Sequence, residues 1–278
     1  MKIYYQWVLW SYSNLVAKKL QDVISTQSKT YWKLSFKEIF QQMKNNNLWI
    51  IPIENSYSWS LHENFHNLVT YPVKIVWQYY KPINHSLLST GKDIWKIKYA
   101  YSHPQALMQC ENFLKKHKIK PLIYSDTASA AKYIKEQKDK KFATIASKEC
   151  WQIYSLNTIS EDIQDQDWNT TRFFIISYEN ANIEFSKTFY EIFNSTDSPK
   201  MSLIFKARHQ PASLYKVLGC FATRNINLTK IESLPTKNNP FSYMFWIDID
   251  VPSQKDTLKY AFEELEFFTN YTKILWKY

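Results

Sequence analysis

The chain of 278 residues contains only two glycines, Gly91 and Gly219. A protein of this length would ordinarily carry about twenty. Glycine is the residue that positive φ angles and close backbone contacts favour. Tryptophan is unusually abundant instead, with eleven residues. Turns in this chain must therefore be built largely without the residue best suited to them.

Three further absences narrow the class of protein. The three cysteines, at positions 110, 150 and 220, are odd in number and far apart, which argues for buried thiols rather than disulfides or a metal site. No apolar run reaches the roughly 18 residues of a membrane span. The N-terminal residues lack the apolar core of a signal peptide. We therefore expect a cytoplasmic protein that has no membrane partner.

The charge is strongly positive but dispersed. The formal net charge is +10, yet the only arginines are Arg172, Arg208 and Arg224, and the lysines are scattered along the chain. Nucleic-acid binding proteins typically cluster basic residues on one face or along one helix. The pattern therefore predicts no nucleic-acid partner and is compatible with attraction of an anionic small molecule.

Short strand-like runs alternate with helical patterns over the first 177 residues. Strands are predicted over 2–6, 49–53, 97–101, 122–124, 142–145 and 172–177. Helices are predicted over 13–20, over 35–46 with Ser35 as its cap, from Pro104 through Leu114, and over 127–136. Such alternation predicts an α/β fold in which helices cover both faces of a sheet.

The C-terminal part has a different order of elements. Residues 179–199 are polar, and 194–199 have the composition of a linker. A strand is predicted over 201–207, a helix over 211–224, strands over 226–234 and 242–250, a helix over 254–268 and a strand over 271–276. This βαββαβ order is the ferredoxin-like arrangement, which suggests a binding or regulatory module.

Five segments resemble prephenate dehydratases in their order and spacing. They are Pro52-Ile53-Glu54-Asn55-Ser56, Asn84-His85-Ser86-Leu87-Leu88, Tyr101 to Leu107, Asp126 to Ala131, and Asn169-Thr170-Thr171-Arg172-Phe173. The last matches the family pattern Asn-x-Thr-Arg-Phe. Two later segments, Pro211 to Tyr215 and Asn225 to Pro235, resemble motifs of the ACT domain, an amino-acid-sensing module. Each segment is weak alone, but together they cover nearly the whole chain.

The resemblance implies an architecture and a reaction. It implies a two-lobed catalytic region over 1–178, similar to type II periplasmic binding proteins, a linker over 179–199, and a ferredoxin-like ACT domain over 200–278. The reaction it implies is the decarboxylating dehydration of prephenate to phenylpyruvate in L-phenylalanine biosynthesis, without a metal or organic cofactor. Two alternatives stay open: arogenate dehydratase, and a catalytically inactive amino-acid-binding regulator built from the same two modules.

The resemblance also implies the site residues. Thr171 matches the catalytic threonine, whose hydroxyl assists the departing hydroxyl group. Arg172 is suited to bind a carboxylate through two parallel hydrogen bonds, as lysine is not. Further substrate contacts are expected from Glu54, Asn55, Ser56, Ser102, Gln105, Asp126, Thr127, Asn169 and Phe173. Ser102 and Thr127 also fit a simpler role as residues at helix starts.

In the ACT region, the resemblance implies that L-phenylalanine binds between paired domains of a homodimer or homotetramer. The expected effector site consists of Ala212, Ser213, Leu214, Asn227, Leu228, Glu232 and Ser233. Two positions depart from the family pattern, because Ala212 replaces a glycine and Leu234 replaces an arginine. The loss of that charge weakens the expectation of strong feedback inhibition.

Six tryptophans stand where members of the family usually carry glycine, at positions 7, 10, 49, 59, 77 and 276. Tryptophan is the worst steric replacement for glycine. We therefore expect that the source organism reads the codon UGA as glycine, so that these six positions are glycine in the native protein. The alternative is a chain that is truly rich in tryptophan.

Overall fold

In a computed structural model of the chain, the described residues are 1–6, 11–24, 28–33, 35–41, 47–57, 59–193, 199–236 and 242–278. The chain divides into two compact units. The first unit contains 1–42, 48–60 and 79–173, and the second contains 43–47, 61–78 and 174–278. All catalytic candidates fall in the first unit, and all ACT candidates fall in the second.

The described residues form fifteen strands and ten α-helices. The strands are β1 Lys2–Gln6, β2 Lys29–Lys33, β3 Leu48–Asn55, β4 Trp59–Ser60, β5 Val73–Pro82, β6 Ser86–Ser89, β7 Tyr99–Ser102, β8 Lys120–Ile123, β9 Phe142–Ala146, β10 Asn157–Ser160, β11 Thr170–Tyr178, β12 Lys200–Ala207, β13 Leu228–Pro235, β14 Tyr243–Asp250 and β15 Thr269–Lys277. The helices are α1 Tyr12–Ile24, α2 Phe36–Gln41, α3 His62–Thr70, α4 Pro104–Met108, α5 Glu111–Lys116, α6 Thr127–Gln137, α7 Cys150–Tyr154, α8 Lys187–Ile192, α9 Ser213–Ala222 and α10 Lys255–Phe268.

Two mixed sheets carry the catalytic candidates. The first has the strand order β2-β1-β3-β11-β5, with the short β4 added to β3, and β1 runs parallel to both of its neighbours. The second has the order β10-β6-β9-β7-β8. Apolar clusters form on this sheet with Leu107, Cys110 and Leu114, and with Ala128, Ala131 and Ile134. The α/β fold with helix-covered sheets is confirmed.

The third sheet is antiparallel, in the order β13-β14-β12-β15. Its elements follow one another as βαββαβ, as the sequence predicted. Helices α9 and α10 supply Val217, Phe221 and Leu265 to a core that also contains Leu203 and Ile247 of the sheet. The ferredoxin-like arrangement therefore rests on an apolar core of its own.

The predicted helix from Pro104 to Leu114 is wrong in one respect, because it is interrupted before Glu111 and forms α4 and α5. Helix α8 lies within the stretch interpreted as a linker, and residues 194–198 lie outside the described residues. The Ser35 cap is confirmed by its Oγ, which accepts a hydrogen bond from the Glu38 N–H at 3.2 Å. Residues 42–46 of that predicted helix lie outside the described part of the chain.

The three cysteines are buried free thiols, as expected. Burial raises the pKa of Cys150 to about 12 and that of Cys220 to about 11, so both thiols stay protonated and unreactive near neutral pH. None of the described helices is long and apolar enough to cross a membrane.

The tryptophans at family glycine positions differ in how well they fit. Trp49 is fully buried and stacks on Tyr4 with ring centroids 5.6 Å apart, but its indole N–H has no hydrogen-bond partner among the described residues. Trp77 donates its indole N–H to the Phe193 carbonyl at 2.8 Å. A buried, unpaired indole N–H costs about 1–3 kcal/mol, so Trp49 is the poorer fit.

Trp276 is the one residue of this group with an unusual backbone among those that the structure describes. Its φ is 155°, a positive value that L side chains rarely adopt. The pairing of β12 with β15 shifts in register next to this residue. Trp7, Trp10 and the side chain of Trp59 lie outside the described residues.

Candidate active site

The candidate site begins where β3 ends and β11 begins. Asn55, at the end of β3, donates from Nδ2 to Thr171 Oγ1 at 3.0 Å, to Asn169 Oδ1 at 2.8 Å and to the Thr170 carbonyl at 3.2 Å. The two strands are neighbours in the sheet, which brings together two motifs that lie far apart in the sequence. Asn55 and Thr171 are therefore direct partners.

The predicted carboxylate-binding arginine is held by a carboxylate of the protein itself. Arg172 Nη1 lies 2.9 Å from Glu54 Oε1, and the side chain of Arg172 is only 4% exposed. The guanidinium also lies 5.8 Å from the ring centroid of Tyr80. A buried guanidinium must be paired, and Glu54 supplies that charge. Little of Arg172 is left uncovered for a direct substrate contact, so its effect on an anion is chiefly electrostatic.

Sequence reasoning missed Gln109, which extends the site away from β3. Gln109 Nε2 donates to Asn55 Oδ1 at 3.5 Å, and its Oε1 lies 2.8 Å from Nε2 of His85. Burial lowers the pKa of His85, so the imidazole is neutral near pH 7. The one signal in the sequence was a polar residue between the buried positions Leu107 and Cys110.

The predicted Gln105 does not join this network by any side-chain hydrogen bond among the described residues. It is exposed, and its backbone N–H is capped by His103 Nδ1 at 3.2 Å. Gln109 follows four residues later, one helical turn further on. The resemblance therefore indicated the correct segment, whereas the geometry selects a different glutamine within it.

Of the residues predicted on or beside the second sheet, Ser102 and Asp126 make hydrogen bonds within the protein, whereas Thr127 is available to a ligand. Ser102 is fully buried and donates to the Ile145 carbonyl at 2.6 Å, so it caps no helix. Asp126 caps α6 by accepting from the Ser129 N–H at 2.8 Å. The Thr127 hydroxyl is partly exposed and has no hydrogen bond to the described residues, which leaves it available to a ligand.

The remaining predicted contacts support the loop before Thr171. Ser56 Oγ donates to the Trp168 carbonyl at 3.1 Å and accepts from the Thr170 N–H at 2.9 Å. Asn169 is almost fully buried, and its Nδ2 has no partner within the part of the chain that the structure describes. Phe173 is 1% exposed and packs as a core residue, so a contact with substrate is not favoured.

The ACT candidates lie around the start of α9 and along β13. Ala212 precedes α9 with φ 58° and ψ 18°, a left-handed conformation that favours glycine. Ser213 and Leu214 open the helix, and Leu228 begins the facing strand β13. The positive φ is therefore compatible with the glycine that the family resemblance implies at position 212.

The polar candidates on or next to β13 have partners of their own. Asn227 Nδ2 donates to Asp250 Oδ2 at 2.8 Å. The Glu232 carboxylate lies 3.3 Å from Lys230 Nζ and 3.8 Å from His62 Nε2. Ser233 is exposed. Leu234, which replaces the family's arginine, is fully buried. Glu232 is therefore engaged in a charge cluster with Lys230.

At the candidate active site, the Thr171 hydroxyl can donate a hydrogen bond, and no basic group lies beside it among the described residues. Asn55 donates to Thr171 Oγ1, so the Thr171 oxygen is an acceptor in that bond and its own proton remains to be donated. No described residue accepts that proton. The described residues also contain no group of three or more histidines, cysteines or carboxylates placed to hold a metal. The site is suited to stabilise a departing or developing oxyanion.

The fold and site together define a two-sheet α/β enzyme region joined to a ferredoxin-like module. The prephenate dehydratase family model matches residues 3–181. The chain is 35% identical to a prephenate dehydratase of Methanocaldococcus jannaschii, over 96% of this chain and 94% of the relative. It is 33% identical to arogenate dehydratase 2 of Petunia hybrida, over 100% of this chain and 71% of the relative. The chain belongs to the prephenate dehydratase family.

Solved structures agree on the fold. The prephenate dehydratase of Staphylococcus aureus superposes with a TM-score of 0.81 at 23% identity, covering 100% of both chains. The enzyme of Arthrobacter aurescens in complex with L-Phe also gives 0.81, at 22% identity, covering 100% of this chain and 90% of that one. GqqA, described as a novel type of quorum-quenching acylase, gives 0.81 at 25% identity, covering 100% and 97%.

Proposed function

We propose that this protein converts prephenate to phenylpyruvate, as a carbon–oxygen lyase that uses no metal or organic cofactor. The observation that carries the proposal is the hydrogen bond from Asn55 to Thr171 Oγ1 at 3.0 Å. In it the Thr171 oxygen is the acceptor, so its own proton remains to be donated to a substrate. Membership of the prephenate dehydratase family supports the same reaction.

The reaction breaks two bonds of the substrate ring. The ring carboxylate leaves as carbon dioxide, and the electron pair of the broken C–C bond enters the ring, which becomes aromatic. The electron pair of the C–O bond leaves with the hydroxyl group, which takes up a proton and departs as water. Thr171 is placed in the role of donor to this departing oxygen. One donor aimed at developing negative charge lowers such a barrier by about 2.7–4 kcal/mol.

The charge of the surroundings fits a dianionic substrate. Prephenate carries two carboxylates, and the chain has a formal net charge of +10. Arg172 lies next to Thr171 in the sequence, and its guanidinium is paired with Glu54 at 2.9 Å. The N–H groups at the start of α6 and the Thr127 hydroxyl are further donors for an anion. We assign direct binding of the carboxylates to the donors of α6, and to Arg172 an electrostatic contribution.

The choice between prephenate and arogenate is left to experiment. The two substrates differ by one amino group on the side chain, and relatives with both names are similar to this chain.

The similarity in fold to GqqA, described as an acylase, raises a second reaction type. An acylase reaction requires an activated nucleophile or water. The described residues place no base beside Thr171, which accepts a hydrogen bond from the side-chain amide of Asn55. The geometry therefore favours elimination over acyl transfer.

The proposal extends to regulation and assembly. We infer a catalytic region over 1–178, a linker over 179–199 and an ACT domain over 200–278 that binds L-phenylalanine and pairs in a homodimer or homotetramer. The protein would act in the cytoplasm. The support is the ferredoxin-like module and the solved complex of a family member with L-Phe.

The test is a direct assay of the purified full chain. Phenylpyruvate formation from prephenate and phenylalanine formation from arogenate would be measured in parallel, with and without EDTA. We expect turnover of prephenate that EDTA leaves unchanged. Turnover of arogenate alone would transfer the assignment to arogenate dehydratase. Binding of either substrate without any turnover would support the inactive regulator.

A further inference from the structure

The direction of the hydrogen bonds around Asn55 is fixed by the backbone. The Thr170 carbonyl can only accept, and it lies 3.2 Å from Asn55 Nδ2. The Tyr57 N–H can only donate, and it lies 3.0 Å from Asn55 Oδ1. An amide side chain has a donor end and an acceptor end, so these two backbone groups determine which end points in which direction. The NH₂ group faces Thr171, and the oxygen faces Gln109.

This assignment determines the next two groups in turn. Gln109 must present its NH₂ group to Asn55 Oδ1, at 3.5 Å, and its oxygen is then directed to His85 Nε2, at 2.8 Å. An oxygen that faces a ring nitrogen at this distance requires a proton on that nitrogen. His85 is neutral because burial lowers its pKa, so it carries a single N–H, and that N–H is on Nε2.

We propose that His85 is a positioning residue that sets the direction of a hydrogen-bond chain ending at Thr171. Every donor in the chain points the same way: from His85 to Gln109, from Gln109 to Asn55, and from Asn55 to Thr171. The Thr171 proton is then left to be donated to the departing oxygen of the substrate. This inference rests on the proposed function of Thr171.

The other tautomer of His85 would disturb the chain. A proton on Nδ1 would leave the lone pair of Nε2 facing the Gln109 oxygen, which is repulsive at 2.8 Å. Rotation of the Gln109 amide would relieve that contact but would set its oxygen against Asn55 Oδ1. Tyr12 opposes the Nε2–H tautomer only weakly. Its hydroxyl proton is donated to the Asn84 carbonyl at 2.6 Å, so its oxygen could only accept from His85 Nδ1, and that contact is long, at 3.4 Å, compared with 2.8 Å between His85 Nε2 and Gln109. The chain itself therefore selects the Nε2–H form.

The kinetic test compares three variants of the full chain. His85→Phe keeps a ring but removes the donor, and we expect kcat to fall on the order of tenfold to a hundredfold with KM changed less than about twofold. His85→Gln restores an N–H near the position of Nε2 and should recover most of kcat. Tyr12→Phe is the control, because it removes the neighbouring hydroxyl and leaves the donor chain intact.

A fall in kcat for Tyr12→Phe as large as for His85→Phe would overturn the proposal, because the effect would then reflect packing. So would a His85→Gln variant as impaired as His85→Phe. Circular dichroism and melting temperatures would establish that each variant is folded.

The tautomer can be measured without any variant that must be active. Long-range ¹H–¹⁵N spectra of the wild-type protein, labelled on histidine side chains, distinguish an Nε2–H from an Nδ1–H imidazole. The signal of His85 is identified by its disappearance in His85→Gln. An Nε2–H tautomer supports the chain, and an Nδ1–H tautomer overturns it. A wild-type protein that fails to convert prephenate would refute the proposed function, and this spectrum would still decide the arrangement of His85.

Discussion

The hydroxyl of Thr171 is the group on which the proposed reaction depends most directly. Thr171→Ala removes it while leaving the backbone of β11 unchanged, and we expect a loss of about 2.7–4 kcal/mol of transition-state stabilisation, seen as a lower kcat. Thr171→Ser keeps the hydroxyl and should keep most of the activity. Steady-state rates of phenylpyruvate formation check both. An alanine variant with the kcat of the wild type would remove Thr171 from the mechanism.

The hypothesis that some tryptophans are glycine in the native protein can be tested by comparing two exposed tryptophans, one with a positive φ and one without. Trp276 is 47% exposed in β15 with φ 155°, and Trp32 is 49% exposed in β2 without a positive φ. Trp276→Gly should raise the free energy of unfolding by about 1–2 kcal/mol, because it relieves the backbone. Trp32→Gly should lower it by about 0.5–1 kcal/mol. Urea denaturation of both variants measures the two values.

Opposite signs for the two variants would support glycine at position 276. If Trp276→Gly destabilises the protein as much as Trp32→Gly does, the backbone at 276 carries no strain and the argument from φ is wrong. Mass spectrometry of the protein isolated from its source decides the codon question independently, through peptides that carry glycine or tryptophan at 49, 77 and 276. Trp77, whose indole N–H is well paired, is the position that fits glycine least.

Residue patterns alone could predict part of the site. The resemblance indicated Asn55, Thr171 and Glu54, and the structure places the first two in direct contact. It could not indicate that Arg172 would be almost completely covered beside Glu54, because burial is a property of the folded neighbourhood. Gln109 was missed because a polar residue at the end of a helix, between two buried apolar positions, looks like an ordinary interruption of the apolar pattern.

At the scale of elements, the predictions missed strands and helices both with and without a clear buried face: β6 is buried along its whole length and was not predicted. Strand β2 is mostly exposed along its length, so its side chains show no alternation for a pattern to detect. Helix α3 buries Asn64 and Asn67 beside Phe65 and Leu68, and the two asparagines hide its apolar stripe. Strand β2 and helix α3 are therefore stabilised by contacts with neighbouring elements, and a local sequence pattern does not reveal those contacts.

Helix α3 ends on a lysine contributed by the third sheet. Lys273 Nζ donates to the carbonyls of Leu68, Val69 and Tyr71 at 3.2–3.4 Å, where the last turn of a helix favours a positive charge. Lys273→Met keeps the length of the side chain but leaves these carbonyls without that donor. We expect a loss of about 1–3 kcal/mol of stability.

Lys277→Met is the control for this change, because Lys277 is an exposed residue of the same strand. Exposed substitutions of this kind usually stay within about 0.5 kcal/mol. Denaturant melts of the two variants, followed by circular dichroism, make the comparison. Equal stability of Lys273→Met and Lys277→Met would mean that water satisfies the end of α3 equally well and that the lysine is not a cap.

At the scale of the whole molecule, the order of elements predicted the fold classes correctly: alternation for the α/β part and βαββαβ for the ferredoxin-like part. Order alone did not predict which strands become neighbours. Asn55 meets Thr171 because β3 and β11 are adjacent, although more than a hundred residues separate them. The domain boundaries and the pairing of chains stay predictions.

Regulation is the property that only the whole molecule can display. If the module with Ala212 and Asn227 binds L-phenylalanine, the ligand must stabilise the folded full chain by RT ln(1 + [L]/Kd), about 2.7 kcal/mol at a hundredfold excess over Kd. Alanine in place of glycine at the left-handed position 212 and the buried Leu234 in place of arginine depart from the family pattern, so we expect binding only at millimolar concentration. L-phenylalanine should raise the melting temperature and reduce phenylpyruvate formation, whereas D-phenylalanine, with the same atoms in mirror-image arrangement, should do neither. Equal shifts with both enantiomers, or no heat of binding by calorimetry at millimolar L-phenylalanine, would mean that the ferredoxin-like module serves assembly rather than sensing.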